Sequence, residues 1–391
     1  MKVTPRLAIT LTFIAFGVMV GSQVGSIPVL KDQSNIDKLT FGILSGVATA
    51  ANILAMGLGG WVNRHFDHRG VLLFILPSAF GVLALSLSSH SVLAYGLTFF
   101  IFNFCFGTFD LFMNAEAAIV EHDAKRPIFA SFHAAVLYAI GLSGLLGSYI
   151  AVNFGTLWAT LPSLPFLAAA VWAVNGAIPH RPPEANRSMA KIQLPTKILT
   201  LIGIIIGFDV AAELACVSWA GQLLAEKQPA LAAWSGLGVA FYGLCNGSVR
   251  LMGDALRARY SDITLVIISF CVGVVGFAIL ATNPGFEISV IAFAIAGCGL
   301  GLIFPCLFSV AANLAPNTRA AALGHASAVS GPPRIFIPVL LGWVAQSFGL
   351  SSIYVVAVIA SVVAIGVAVW TGREIAKQKG AQVALRPNAT N

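Results

Sequence analysis

Charge is scarce in this chain: Asp, Glu, Lys and Arg together make up only 9% of it, where a soluble domain carries roughly 25%. So few charges cannot solvate a globular surface, which excludes an ordinary water-soluble domain. Also missing are a phosphate-binding Gly-rich loop, a cluster at metal-ligand spacing and a Gly-x-Ser-x-Gly nucleophile elbow. Those absences argue against an enzyme, a pump driven by nucleotide hydrolysis, and a resident cofactor or metal. Cysteine is sparse as well. Cys105, Cys216, Cys245, Cys271, Cys298 and Cys306 are scattered singly inside apolar runs with no Cys-x-x-Cys pair. They read as small packing residues, not as disulfides or metal ligands.

What the chain has instead is apolar length. Hydrophobic residues are 58% of it and mean hydropathy is +0.89. A helix rising about 1.5 Å per residue needs roughly 20 apolar residues to cross a hydrocarbon core about 30 Å thick. Such runs, numbered here as spans 1 to 12, fall at 8–30, 40–62, 70–88, 93–120, 128–151, 157–177, 199–222, 231–256, 263–281, 287–314, 320–347 and 350–371. They are continuously apolar and do not alternate over about 10 residues as barrel strands do. The expected fold class is an all-α integral membrane protein with twelve transmembrane helices. Only Lys2 and Arg6 precede span 1 as charges, and no small-residue cleavage site follows it, so it is expected to stay as a helix and not to be removed as a signal peptide.

Of the 22 Lys and Arg residues, Arg250 and Arg334 fall inside spans, and only Lys31, Lys38 and Lys227 fall on the face opposite the termini. The others, among them Arg64, Arg69, Arg126, Arg187 and Lys191, collect on the face that carries both termini. The positive-inside rule then predicts a bacterial inner membrane protein with both termini cytoplasmic. The +7 formal charge reports topology and contact with anionic lipid headgroups, and a nucleic-acid partner has no support. The Asn388-Ala389-Thr390 sequon sits in a cytoplasmic tail and reads as a chance match.

The longest polar stretch between spans, His180 to Lys197, divides the chain six plus six. The organisation expected is a six-helix bundle at 1–178, a cytoplasmic linker at 179–197, a second bundle at 198–372 and a tail at 373–391. Shifting the second half by about 192 to 194 residues sets Gly59 on Gly253, Phe66 on Tyr260, Gly107 on Gly299, His133-Ala134 on His325-Ala326, and Phe154-Gly155 on Phe348-Gly349. Weak internal symmetry of this sort is what parallel repeats in transporters leave behind.

Between spans 2 and 3, Gly59-Gly60-Trp61-Val62-Asn63-Arg64-His65-Phe66-Asp67-His68-Arg69 resembles the loop motif of the major facilitator superfamily, usually written G-x-L-x-D-R-x-G-R-R. Asn63 stands at the acidic position and Phe66 at the second glycine; the second-half copy, from Arg250 through Gly253, Asp254 and Arg257 to Tyr260, keeps the acid. Ile27-Pro28-Val29-Leu30-Lys31, Asp110 to Glu116, Phe132-His133-Ala134, Glu213 to Trp219 and Pro338 to Gly342 are similar to the MosC/YbjJ-like branch. The resemblance covers nearly the whole chain and implies two six-helix bundles around a cavity lined by spans 1, 4, 7 and 10. Ser26 stands where the branch often has Arg, Glu116 where Gln is usual, Ser218 where Asp is usual, and Pro332-Pro333-Arg334 where Gly-Tyr-Gly is expected. These departures touch the cavity, so the polyol-like or amino-sugar-like solutes of the branch are only a lead.

A charge inside an apolar span is costly and marks a working site by default. At 100° per residue, Asn103, Asp110, Asn114 and Glu121 of span 4 fall within about 40° of one another, in a stripe roughly 27 Å long. Such a stripe packs on a polar neighbour or lines a solute path, and the midplane depth of Asp110 favours the path. Asp209 and Glu213 of span 7 are four apart and share a face. Two carboxylates that close in low dielectric resist ionising together, a proton-coupling device unless each is held by Arg or hydrogen bonds. Arg334, mid-depth in span 11, either neutralises Glu213 or Asp209 or anchors an anionic group of the solute, with carbonyls freed by Pro332 and Pro333 beside it. Arg250 and Asp254 read as a structural pair near a gate, and Glu116, facing away from the stripe, as a structural charge too. His133 and His325 occupy matched positions that fit packing of the two halves better than proton relay. Arg64 joins these gating charges. Trp219, Trp234, Tyr242 and Phe106 are rings that can stack on a solute, with Trp219 equally suited to anchor at the interface.

The reading is a proton-coupled secondary transporter, monomeric and surrounded by membrane lipid, that moves a small polar solute by alternating access. Asp110, Asn114, Asn103, Glu213, Arg334 and Trp219 are expected to bind solute; Glu213, Asp209 and Asp110 are expected to carry the proton. The intramembrane charges, counting Glu116, sum to an excess of two negatives (Asp110, Glu116, Asp209 and Glu213 against Arg250 and Arg334), which favours a bound proton or a cationic solute. An exporter of drugs or metabolites is the alternative. A non-transporting sensor or a channel ranks below both, since a sensor more often adds a cytoplasmic domain and a channel needs no titratable groups at mid-depth.

Overall fold

The computed structural model describes residues 3–125, 128–181, 196–315 and 318–384. Arg126, Arg187, Lys191, the 388–390 sequon and most of the expected linker lie outside these residues. Every regular element among the described residues is helical. Spans 1 to 5 are the helices Pro5–Gln33, Lys38–His65, His68–Leu87, Val92–Ala124 and Phe129–Phe154. Short polar residues start them by accepting backbone N–H groups that the first turn leaves free: Thr4, Asp37, Asp67 and Ser91 cap spans 1 to 4. Asp67 also pairs with His180 at 2.8 Å. Burial pushes its carboxyl up, but the hydrogen bonds from His180 and the Gly70 amide outweigh it and hold the group below its ordinary range.

Span 6 joins the 3-10 turn Thr156–Thr160 to Ser163–Ala177; span 7 joins Thr196–Val217 to Ala220–Lys227. Spans 9, 11 and 12 are Asp262–Ala281, Arg319–Phe348 and Ser352–Ala384, and span 10 joins Phe286–Leu300 to Ile303–Leu314. Eleven of these segments are long and apolar enough to cross a membrane. The twelfth crossing, span 8, is built of three pieces, Pro229–Trp234, Leu237–Leu251 and Gly253–Arg257, none of spanning length alone.

Both halves pack by one rule. Span 1 lies against spans 5 and 6, span 2 against 4, and span 3 against 4 and 6; span 7 lies against 11 and 12, span 8 against 10, and span 9 against 10 and 12. The halves meet along two seams, span 5 on span 8 and span 2 on span 11, which the same repeat interchanges. Spans 5 and 11 both end on glycine at positive φ, Gly155 at 99° and Gly349 at 88°, a conformation that strains a residue with a Cβ. Gly59 packs on Leu111 and Gly253 on Leu302, matched contacts between the second and fourth spans of each half. In lipid, helices gain little hydrophobic drive from meeting each other, so close approach of small residues matters. At the seam of spans 2 and 11, a Cβ on Gly42 would sit 2.8 Å from the Gly342 Cα.

Several boundaries differ from expectation. Lys31 is not a loop charge: it lies in the last turn of span 1 and is buried. The residues from 373 begin as a continuation of span 12, tied back by Lys197 to Glu374 at 2.9 Å. His180 and Arg181, expected in the linker, dock on the first half through Asp67 and Glu116. Cys271 and Cys298 are exposed on the helix surface and not packed inside.

Candidate functional site

A hollow runs along the axis between the halves. On the face that carries the termini, here the near face, a cavity of about 480 Å³ is walled by the near ends of spans 4, 5, 8 and 10, including Glu121, His133, Asp254 and Arg257, and reaches inward to Glu213 and Arg250. A central cavity of about 250 Å³ shares Glu213 and Phe304 with it and is bordered by Asn52 and Arg334. Beyond lies a smaller one of about 160 Å³ with an aromatic wall of Phe41, Phe99, Phe102, Phe106 and Trp219, which also touches Asn103.

At mid-depth the polar groups converge. Glu213 Oε1 accepts from Arg250 at 3.3 Å and from the Tyr242 hydroxyl at 3.5 Å, and Asn246 donates to that hydroxyl at 3.2 Å. Arg250 therefore serves Glu213 of span 7 and not Asp254, about one turn along its own helix; among the described residues the expected Arg250–Asp254 pair does not form, since the half-buried Glu213 carboxylate faces the arginine in the hollow while Asp254 is exposed. One turn from Glu213, Asp209 is fully buried and neither of its oxygens has a hydrogen-bond partner among the described residues. Burying an ionised carboxyl without a donor is costly, which sets Asp209 apart from the paired Glu213. Arg334 makes no ion pair among the described residues, and its Nε is enclosed without a partner. On span 4, Asn114 donates to Asp110 Oδ1 at 2.8 Å and keeps its own Oδ1 unpaired, while Asn103 folds back onto Phe99.

Other expected site residues stand outside this mid-depth group. Glu121 accepts from the amides of Ile128 and Phe129 at 2.8 and 2.6 Å, so it caps span 5. Glu116 is buried between Arg181, at 2.7 and 2.8 Å, and His68 at 2.7 Å; with that pair removed from the sum, the mid-depth excess falls to one negative. His133 is packed on Phe13 and Phe129, and His325 Nε2 and the Thr200 hydroxyl share a hydrogen bond of 3.0 Å. Arg64 donates to the Gly60 carbonyl at 3.1 Å within its own helix. Trp219 is buried at the wall of the far cavity. It meets Phe41 edge-on at 5.3 Å, and Lys31 lies over both rings while donating to Gln222 at 2.6 Å. Together with Lys38 to Glu226 at 2.7 Å, these contacts tie the two halves to each other at the far face. Phe106 stacks on Phe16 at 3.8 Å and Trp234 lies by Tyr149.

Asn246 and Gln222 were not legible as site residues. Tyr242, Asn246 and Arg250 are spaced four apart, and that stripe on span 8 is the signal that would have found Asn246. Nothing in the sequence pairs Gln222 with Lys31.

No protein-family model matches the chain. Among curated proteins it is 24% identical over 324 residues to an uncharacterized transporter, y4wD, of Sinorhizobium fredii, covering 79% of this chain and 82% of that one. It is 22% identical over 369 residues to the membrane protein MosC of Rhizobium meliloti, covering 88% and 86%. Among solved structures it matches a crystal structure of the nucleoside transporter NupG with a TM-score of 0.75 at 14% identity, over 94% of this chain and 100% of that one. It matches a bacterial homologue of the human lysosomal transporter Spinster, inward-facing and occupied, at 0.70 and 12% identity, over 94% and 96%. The fold is the major facilitator fold of two pseudo-symmetric six-helix bundles, and the relatives are MosC and transporters of the major facilitator type, not enzymes.

Proposed function

We propose that this multi-pass membrane protein of major facilitator fold is a proton-coupled symporter for a small polar solute, set in the bacterial inner membrane with both termini cytoplasmic. The observation that carries the reading is the mid-depth acid pair: Glu213 bound to Arg250 at 3.3 Å and, one turn away, Asp209 sealed with no partner. A proton-coupled carrier needs a group that takes up and releases a proton between its two open states, and an acid beside an arginine that can leave it provides one. In this reading Asp110, Asn114 and Arg334 bind solute, and Asp209 with Glu213 carries the proton. Arg250, Arg334, Tyr242 and Cys216 are the groups that face the acids and set when the proton moves. Opening toward the near face with the far face shut corresponds to an inward-facing carrier.

The decisive variant is Glu213→Gln in proteoliposomes. Accumulation driven by an imposed pH gradient is expected to vanish while exchange of labelled for unlabelled solute persists. Undiminished gradient-driven uptake in that variant would remove Glu213 from the coupling step. The aromatic far compartment would suit an exported apolar compound, and such cargo would survive the loss of Arg334 or Asp110.

A further inference from the structure

Resting on the carrier reading above, we infer that the solute is a small organic monocarboxylate whose carboxylate docks on Arg334. Two arginines reach mid-depth and only one is matched. Arg250 donates to Glu213 at 3.3 Å. Arg334 borders the central cavity, has no ion pair among the described residues and keeps an enclosed Nε without an acceptor. The acids within its electrostatic reach are Glu213, Asp110 and Asp209. Glu213 is engaged by Arg250 and Tyr242, Asp110 takes the Asn114 amide at 2.8 Å, and Asp209 is sealed behind the span 7 surface.

An arginine stays charged at any physiological pH, and its planar fork matches the two oxygens of a carboxylate. With one negative in excess among the mid-depth groups, a single negative charge on Arg334 can be balanced by one proton on the acids, whereas a doubly charged phosphate would need two. At about 250 Å³ the central cavity around Arg334 is smaller than the roughly 300–1,000 Å³ of sites for drug-sized ligands and has room for a small solute. Val210, Leu214 and Phe304 wall its carbon body, and Thr49 and Asn52 face a polar substituent. Each carboxylate that enters with one proton leaves the charge of the site unchanged, so transport is electroneutral: driven by a pH gradient and indifferent to an imposed membrane potential.

The test is thermal unfolding of the purified protein with lactate, nicotinate, benzoate and gluconate, each beside its own amide, and with myo-inositol and glucosamine. At least one acid is expected to raise the midpoint by several degrees while its amide does not. Arg334→Gln is expected to keep the unliganded midpoint and weaken that acid at least tenfold. If Arg334→Gln does not fold, Arg334→Lys, which keeps the charge and loses the fork, is expected to weaken it at least tenfold as well. Equal stabilisation by an amide or polyol, an acid effect that survives both substitutions, or no effect from any acid overturns the inference. Exchange of a neutral solute in proteoliposomes with none of an acid would leave the carrier reading standing and reject the carboxylate.

Discussion

Glu116 and Asp209 are both fully buried acids on membrane helices, yet their surroundings are opposite. Glu116 has Arg181 and His68 on its oxygens, and removing it strands both donors at the near end of span 4. Breaking a buried pair costs about 3–5 kcal/mol when both partners are enclosed. Arg181 is 36% exposed, so Glu116→Ala is expected to cost about 1–3 kcal/mol after that discount. Denaturation in detergent would show it, and a double-mutant cycle with Arg181→Ala should return a coupling of similar sign and size; additive effects would mean that the pair does not hold the near face. Asp209 has no such partners, which is why it is assigned motion and Glu116 anchorage. The sequence showed both as buried acids and set Glu116 apart from the stripe of span 4. It did not show Arg181 reaching back, because that contact depends on where the linker leaves span 6.

The seams between halves govern what moves at the scale of helices. Spans 2 and 11 touch where Gly42 meets Pro338 and Gly342, on the far half, and the same two helices border the central cavity through Asn52 and Arg334. Gly42→Val places a branched side chain where no space exists, so the far seam is expected to part. Labelling of Ser45→Cys by a membrane-impermeant thiol reagent from the far face, on a background without the native cysteines, should rise at least severalfold; an unchanged rate would place the gate elsewhere. Element positions were largely legible, since run length and hydropathy fix where a helix crosses lipid. Span 8 was placed at 231–256, yet its division into three pieces was hidden, because hydropathy does not report a broken backbone. Partners were the least legible feature. Reading Arg250 against its own helix gave Asp254, whereas the fold brings Glu213 from span 7. Lys31, counted among loop charges, is drawn into the far closure by Phe41, Trp219 and Gln222.

Viewed as one molecule, the chain is two copies of a packing rule that share a polar centre. The repeat was visible in matched pairs such as Gly155 and Gly349, and the structure gives both the same task at the ends of spans 5 and 11. Two such halves pivoting on a common site would expose it to one face and then the other, with Arg334, Asp110, Asp209 and Glu213 carried at mid-depth throughout. The measurement that bears most directly on this is counterflow. Proteoliposomes loaded with an unlabelled solute that stabilises the protein, and diluted into a trace of the labelled form with no ion gradient, should draw label inward transiently above its external concentration. Label that only equilibrates downhill, with no overshoot, would contradict alternating access and leave a pore or a sensor in its place.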